Sequence, residues 1–255
     1  MGYNYWKMKA QNAVKASEHT REMQETFSNR IKQSVAHTEI FNEVHVPLKD
    51  LDLYIPEIIV EDLDSVSAIF KYCTGNIAVL NFASYKYPGG QFIYGSSAQE
   101  EALCHKSFLY NVLREFEVEY YDWNRRNKNK ALYLNRALYT PEVLFIDSVQ
   151  ACFCDVITCA APNKKAAQKY CSVSDEENTE YLTSRIDFVL NIAAIKKVDT
   201  LILGAYGCGV FEQDPTEVAA IFAERLQSKK CFKRVIFAIP NKHNSNYEVF
   251  KKILT

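Results

Sequence analysis

Along the chain, short β-branched runs alternate with longer stretches whose apolar positions recur every three or four residues. From Ile77 onward the strand-like runs are IAVLNFA, VLFID, CDVITCAAP, TLILGA and RVIFAIP. Between them, Leu109, Val112, Leu113 and Phe116 fall at helical spacing, as do Val218, Ile221, Phe222 and Leu226. Runs that are apolar on both faces and separated by helices predict an α/β layered fold with a largely parallel, buried sheet. Upstream, residues 5 to 33 are rich in Ala, Glu, Gln, Lys and Arg and hold neither Pro nor Gly, so they predict a helix packed on the main domain. The next stretch, VPLKDLDLYIPEIIVEDL, mixes prolines with short apolar runs and reads as a connection with one or two strands. The expected organisation is a helical extension over residues 1–50 and one α/β domain over residues 51–255.

Composition adds boundaries to this picture. A hydrophobic fraction of 48% allows a sizeable core without metal or disulfide staples. The formal net charge of −1 supplies no overall field for a polyanion, so any phosphate site is local. Cys73, Cys104, Cys152, Cys154, Cys159, Cys171, Cys208 and Cys231 form no CxxC pair and have no histidine at zinc-ligand spacing, so reduced thiols, no metal and no cofactor are expected. The N-terminal stretch lacks the apolar core of a signal peptide, and Trp6 stands where myristoylation requires Ser or Thr. No run approaches the roughly 18–20 apolar residues of a membrane span. An intracellular protein, cytoplasmic or nuclear, is expected.

Two loops carry candidate chemistry. In NFASYKYPGGQFIYGSSAQEEALCHKSFL, Pro88, Gly89 and Gly90 break a strand and leave backbone amides uncovered, which suits close approach of a phosphate. Ser97 followed three residues later by Glu100 is a capping-box pattern, so Glu100 either satisfies the helix start or touches substrate. Glu101 has no such local task. Adjacent residues point in different directions, so the two are not expected to flank one bond as a glycosidase pair. A hydrolytic site would then use one carboxylate alone, first as proton donor and then as base.

The second loop, LILGAYGCGVFEQDPTEVAAIFAERL, is again strand, glycine-rich turn and helix. Gly204, Gly207 and Gly209 can supply the positive-φ turns that aim consecutive N–H groups at an anion. Asp214, Pro215 and Glu217 read as helix cap, first helical position and box partner. The spacing matches neither the dinucleotide fingerprint nor the P-loop. Cys208 has no base near it in sequence and reads as a packed thiol rather than a nucleophile. Phe211 is either core or a cover for a ribose. The basic run RRNKNK, residues 125–130, is either a solvated connection or a contact to a phosphate-rich polymer.

Taken together, NFAS, PGG, the QEE triplet at Gln99, Glu100 and Glu101, ALYTPEV, APN and GAYGCGVF-x-x-DP resemble, in order, the microbial-type poly(ADP-ribose) glycohydrolase family, over residues 77–255. The resemblance implies a three-layer α/β/α macrodomain-like fold with a mixed, largely parallel central sheet and an N-terminal helical extension. It implies a glycosidase that takes ADP-ribose or poly(ADP-ribose) on modified macromolecules and needs no cofactor. Glu101 would be the acid/base, Glu100 would orient the neighbouring ribose, and Gln99 would shape the loop. Gly207, Cys208, Gly209 and Val210 would lie at the diphosphate and Phe211 against the distal ribose. Ser84, Gly89 and Gly90 would line the catalytic side, and the segment PNKHNSNYEVF would border the adenine. One position departs: the family's third turn glycine is Gln91 here, where a side chain is expected to strain a positive φ or to hydrogen-bond the substrate. The alternatives are an ADP-ribose-binding module without turnover, and a hydrolase specific for mono-ADP-ribosylated targets.

Overall fold

A computed structural model of the chain describes residues 2–43, 55–229, 231–241 and 245–255, with the side chains of residues 2–5 left aside. The first helix, α1 (Gly2–His37), is longer than the sequence reading and kinks at Phe27. It leads into β1 (Glu39–Phe41), a three-residue strand too short to leave a pattern. Then follow β2 (Glu57–Glu61), α2 (Ser65–Lys71), β3 (Ile77–Phe82), α3 (Gln99–His105), α4 (Leu109–Leu113), α5 (Trp123–Arg126), β4 (Ala137–Ile146) and β5 (Ala151–Cys159). The chain closes with α6 (Lys164–Cys171), α7 (Asp175–Ile195), β6 (Thr200–Leu203), α8 (Pro215–Ser228), β7 (Arg234–Ala238) and α9 (Asn246–Leu254).

The seven strands form one sheet in the order β1-β4-β5-β3-β6-β7-β2. Every pairing from β5 to β2 is parallel, and β4 is antiparallel to both β1 and β5. Alternation along each buried strand feeds two cores. Ala78, Leu80, Ile157 and Cys159 pack with α7, α8 and α9, whereas Ile77, Val79, Cys154 and Val156 pack with α1, α2, α3 and α4. The fold is therefore α/β/α in three layers with a mixed sheet.

The N-terminal helix is built into this body. Its Ala16 and Ile31 are buried in the second core, and Ser34 Oγ donates to Pro141 O at 3.0 Å. The boundary expected at residue 50 falls in 44–54, outside the described residues, as does the first half of the proline-containing connection; its second half forms β2. Among the described residues no helix is long and apolar enough to cross a membrane, and no cluster of His, Cys, Asp and Glu could hold a metal ion.

The thiol expectation needs correction: Cys73 and Cys152, separated by 79 residues, form a disulfide that ties the end of α2 to β5. Their separation has none of the short spacing by which sequence betrays a pair. Cys104, Cys154, Cys159, Cys171, Cys208 and Cys231 are free.

Candidate functional site

The two loops meet because their strands are neighbours in the sheet. Pairing of β3 with β6 ends at Val79 and Ile202, and beyond that point the Gln99 side chain takes the place of a strand. Its Oε1 accepts from Phe82 N at 2.8 Å, and its Nε2 donates to Leu80 O at 2.9 Å and Ser65 Oγ at 3.1 Å. A cleft of about 430 Å³ opens here, at the carboxyl ends of β3, β6 and β7, the usual place for ligands in an open α/β sheet. Gln99, Phe82, Gly207, Gly209, Val210 and Phe211 line it, together with Pro240 and Asn246 of the segment expected near the adenine. Residues 242–244 of that segment are outside the described residues.

The expected capping box does not form. The residue before α3 is Ala98, with no side-chain cap, and Glu100 turns inward instead. Its Oε2 accepts from Ser84 N at 2.7 Å and its Oε1 from Asn81 Nδ2 at 3.3 Å. Glu101 Oε1 accepts from Gln91 N at 2.9 Å, while its Oε2 is buried without a hydrogen-bond partner. The two carboxylates also fail to diverge. An added Cβ on Gly90 would lie 2.8 Å from Glu101 Oε1 and 2.9 Å from Glu100 Oε2, so both reach the same turn. The i, i+1 rule describes where Cβ atoms leave a helix, and glutamates have the length to bend back to a common point.

Gly89 and Gly90 both sit at φ +61°, the left-handed region. A Cβ on Gly89 would meet Tyr110 at 2.8 Å and Cys104 Sγ at 3.2 Å. Gln91, by contrast, has φ −109° and its side chain is exposed. The strain expected for a non-glycine residue there is absent, because the turn has already returned to ordinary backbone.

Burial pushes the Glu100 carboxyl up to about 8, with the nearby Glu101 charge adding to the rise and the Ser84, Asn81 and Gly89 donors opposing it. Asn81 is the polar member of an otherwise apolar buried strand, and that break in the pattern is the signal by which sequence could have found it.

The second loop leaves β6 at Gly204, whose Cβ would press on Ala238 O at 2.8 Å. Within it, the amides of Gly207, Gly209, Val210 and Phe211 make no hydrogen bond among the described residues, whereas Cys208 N donates to Ala205 O at 3.1 Å. Four donors are thus available to an anion, and the Cys208 amide is not one of them. Its thiol is pushed up to about 12 by burial and by the Asp214 charge, which removes thiolate chemistry at neutral pH. Asp214 caps α8 by accepting from Thr216 N at 2.7 Å, but Glu217 bonds Thr179 Oγ1 rather than closing a box. Val210 is 81% exposed. Phe211 is half-buried: it packs on Tyr133 with ring centroids 6.4 Å apart and also lines the cleft.

Two supports were missed in sequence. Gln213 and Asn178 exchange amide hydrogen bonds at 2.9 Å each way, and Gln213 Nε2 also reaches Pro162 O, so the loop is pinned to α7. Arg185, fully buried, donates from Nε to Asn135 Oδ1 at 2.7 Å and from Nη1 to Ala160 O.

A family model for the catalytic domain of microbial-type PARG, the poly(ADP-ribose) glycohydrolases, matches residues 8–148. The fold is similar to the poly(ADP-ribose) glycohydrolase of Thermomonospora curvata bound to the inhibitor ADP-HPD, with TM-score 0.82 and 26% identity over 95% of this chain and 99% of that one. It is similar also to the Deinococcus radiodurans enzyme in complex with ADP-ribose, with TM-score 0.78 and 30% identity over 88% and 96% of the two chains. A search of curated proteins found no match.

Proposed function

Since the chain belongs to the microbial-type poly(ADP-ribose) glycohydrolase family, we propose that it hydrolyses O-glycosidic linkages of poly(ADP-ribose) and releases ADP-ribose, with Glu101 as its single acid and base. The observation that carries this reading is the asymmetry of Glu101: one oxygen, beside Gly90, is anchored by Gln91 N, and the other is buried and without a hydrogen-bond partner among the described residues. An anchored carboxyl with one free oxygen is equipped to move a proton at a fixed place.

In the proposed reaction the protonated Glu101 gives its proton to the leaving ribose oxygen as the anomeric C–O bond breaks. The anomeric centre becomes oxocarbenium-like. The Glu101 carboxylate then takes a proton from water as the water oxygen bonds to that carbon, which restores the acid. Glu100, raised to about 8, holds its proton at neutral pH and adds no second negative charge beside Glu101. Fixed by Ser84 N and Asn81, it is placed to orient the ribose. The amides of Gly207, Gly209, Val210 and Phe211 receive the diphosphate, which fixes the position of the anomeric carbon. The reading of a binding module without turnover rested on Gln91, whose φ of −109° carries none of the strain expected there.

The test is ADP-ribose release from poly(ADP-ribose) by the parent, Glu101→Gln and Glu100→Gln proteins. Glu101→Gln should lose on the order of 100- to 10,000-fold in turnover while keeping ADP-ribose affinity and melting temperature. Equal release by that variant would sink the mechanism. Release from mono-ADP-ribosylated protein but not from polymer would reassign the substrate.

A further inference from the structure

The basic run 125–130 is only partly explained by the fold. Arg125 is consumed internally, bonding Glu117, Asp122 and Lys86 O. Lys130 pairs with Glu177 at 2.9 Å. Arg126 and Lys128 are exposed, and neither their side chains nor that of Lys86 make a hydrogen bond, ion pair or ring contact among the described residues.

The segments that carry these three cations are joined to one another at the catalytic loop. The Arg125–Lys86 bond and the bond from Tyr85 Oη to Asn127 O at 2.8 Å tie the basic run to that loop. The amides of Lys86 and Tyr87 both donate to Ser84 Oγ, while Ser84 N holds Glu100. Tyr87 is 50% exposed, an aromatic ring with no core to fill, and the Arg125 guanidinium lies 5.9 Å from its centroid. Two residues of chain separate Tyr87 from Gly90, a reach of at most ~10 Å.

The backbone beyond the basic run is held in a costly shape. Asn129, Lys130, Ala131 and Tyr133 all have positive φ, between 44° and 65°. The stack of Tyr133 on Tyr85, with centroids 3.8 Å apart, and the bond from Asn163 N to Ala131 O fix it. Strain of this kind persists where a loop has a task of position.

We propose that Lys86, Tyr87, Arg126 and Lys128 form a second subsite, which takes the diphosphate and adenine of the ADP-ribose unit next to the one in the cleft. This inference rests on the glycohydrolase reading above and makes the chain selective for polymer over a single unit. Charge complementarity supports it: in a chain of net charge −1, the local balance of Lys86, Arg125, Arg126 and Lys128 against Glu117 and Asp122 is positive. An exposed ring and unpaired cations on adjoining segments match the repeating chemistry of the polymer, in which each unit carries a base and two phosphates.

Binding without cleavage is measured by calorimetry on Glu101→Gln protein, with free ADP-ribose and with poly(ADP-ribose) several units long. The polymer should bind more tightly than ADP-ribose. Lys86→Ala, Arg126→Ala and Lys128→Ala combined should flatten the plot of log affinity against log salt by about 2, roughly a 15-fold difference between 50 and 200 mM. ADP-ribose affinity and melting temperature should stay unchanged. Tyr87→Leu alone should weaken polymer binding without changing the salt slope. An unchanged ratio of polymer to ADP-ribose affinity in the triple variant would overturn the subsite, as would equal binding of single-stranded RNA of matched charge by the Glu101→Gln protein. If ADP-ribose fails to bind the cleft while polymer still binds through these residues, the glycohydrolase reading fails and the basic surface stands.

Discussion

Gly207 and Gly209 look interchangeable in the motif, but the structure assigns them opposite sensitivities. Gly207 has φ +78°, and a Cβ there would lie 2.8 Å from Gln213 Cγ and 3.0 Å from Ala161 Cβ. Alanine at 207 therefore costs about 1–2 kcal/mol for the left-handed backbone. It also displaces Gln213, whose amide exchange with Asn178 contributes about 1 kcal/mol per bond. A total loss of roughly 2–4 kcal/mol should lower the melting temperature by about 2–4 °C per kcal/mol in a chain of this size. Gly209 has ordinary φ and nothing within 4 Å of an added Cβ. Alanine at 209 should leave stability unchanged or raise it by about 0.4–1 kcal/mol, through the loss of freedom in the unfolded chain. Its methyl group would stand in the space assigned to the diphosphate, so ADP-ribose affinity should fall tenfold or more. Thermal denaturation and calorimetric titration of both variants separate the effects. Equal destabilisation by the two, or undiminished ADP-ribose binding by folded Gly209→Ala, would refute the reasoning.

Two further outcomes follow from the site and the cross-link. The folded-state pKa of Glu100, about 8, lies above the ordinary carboxylate value of 4.5, so between these limits the native state binds more protons than the unfolded one. Stability from this group is therefore full below about pH 4.5 and lost as pH rises towards 8. Melting temperature should fall over that window in the parent and less steeply in Glu100→Gln, and identical profiles would remove the buried-acid assignment. The Cys73–Cys152 bond closes a loop across 79 residues, for which chain entropy sets an upper limit of about 4.5 kcal/mol. Melting with and without reductant, alongside Cys73→Ser, should show a drop of several degrees, and coincident curves would deny the bond a structural role.

The layered fold was legible because β3, β6, β7 and the second half of β5, from Val156 to Cys159, are buried on both faces and leave near-continuous apolar runs. Three-residue β1 leaves no such trace, and its place beside β4 depends on a pairing across 100 residues of chain, Glu39 with Tyr139. The loops that meet at the cleft were visible through their glycines. The fine geometry was hidden, because it is set by tertiary partners. Ser97 has the chemistry of a cap, yet Asn81 and Ser84 draw Glu100 inward. Gln91 appeared misplaced only because a positive φ was expected where the family's turn has its third glycine. Arg185 and Gln213 act through carbonyls and amides far away in sequence, which no local spacing encodes.

The adjacency of β3 and β6 also governs how such a protein comes into being on the ribosome. The strands begin 123 residues apart, at Ile77 and Thr200. At about 5–20 residues per second, translation delivers β6 roughly 6–25 s after β3. For that interval the central strand waits with one edge bare, and an unpaired edge is a template for association with other chains. The Gln99 amide, which already covers Leu80 O and Phe82 N, acts as a built-in guard over the end of that edge while Ile77, Ala78 and Val79 await their partners. Nascent chains stalled between these two strands should be the species that holding chaperones recognise, and Gln99→Ala should lengthen their stay.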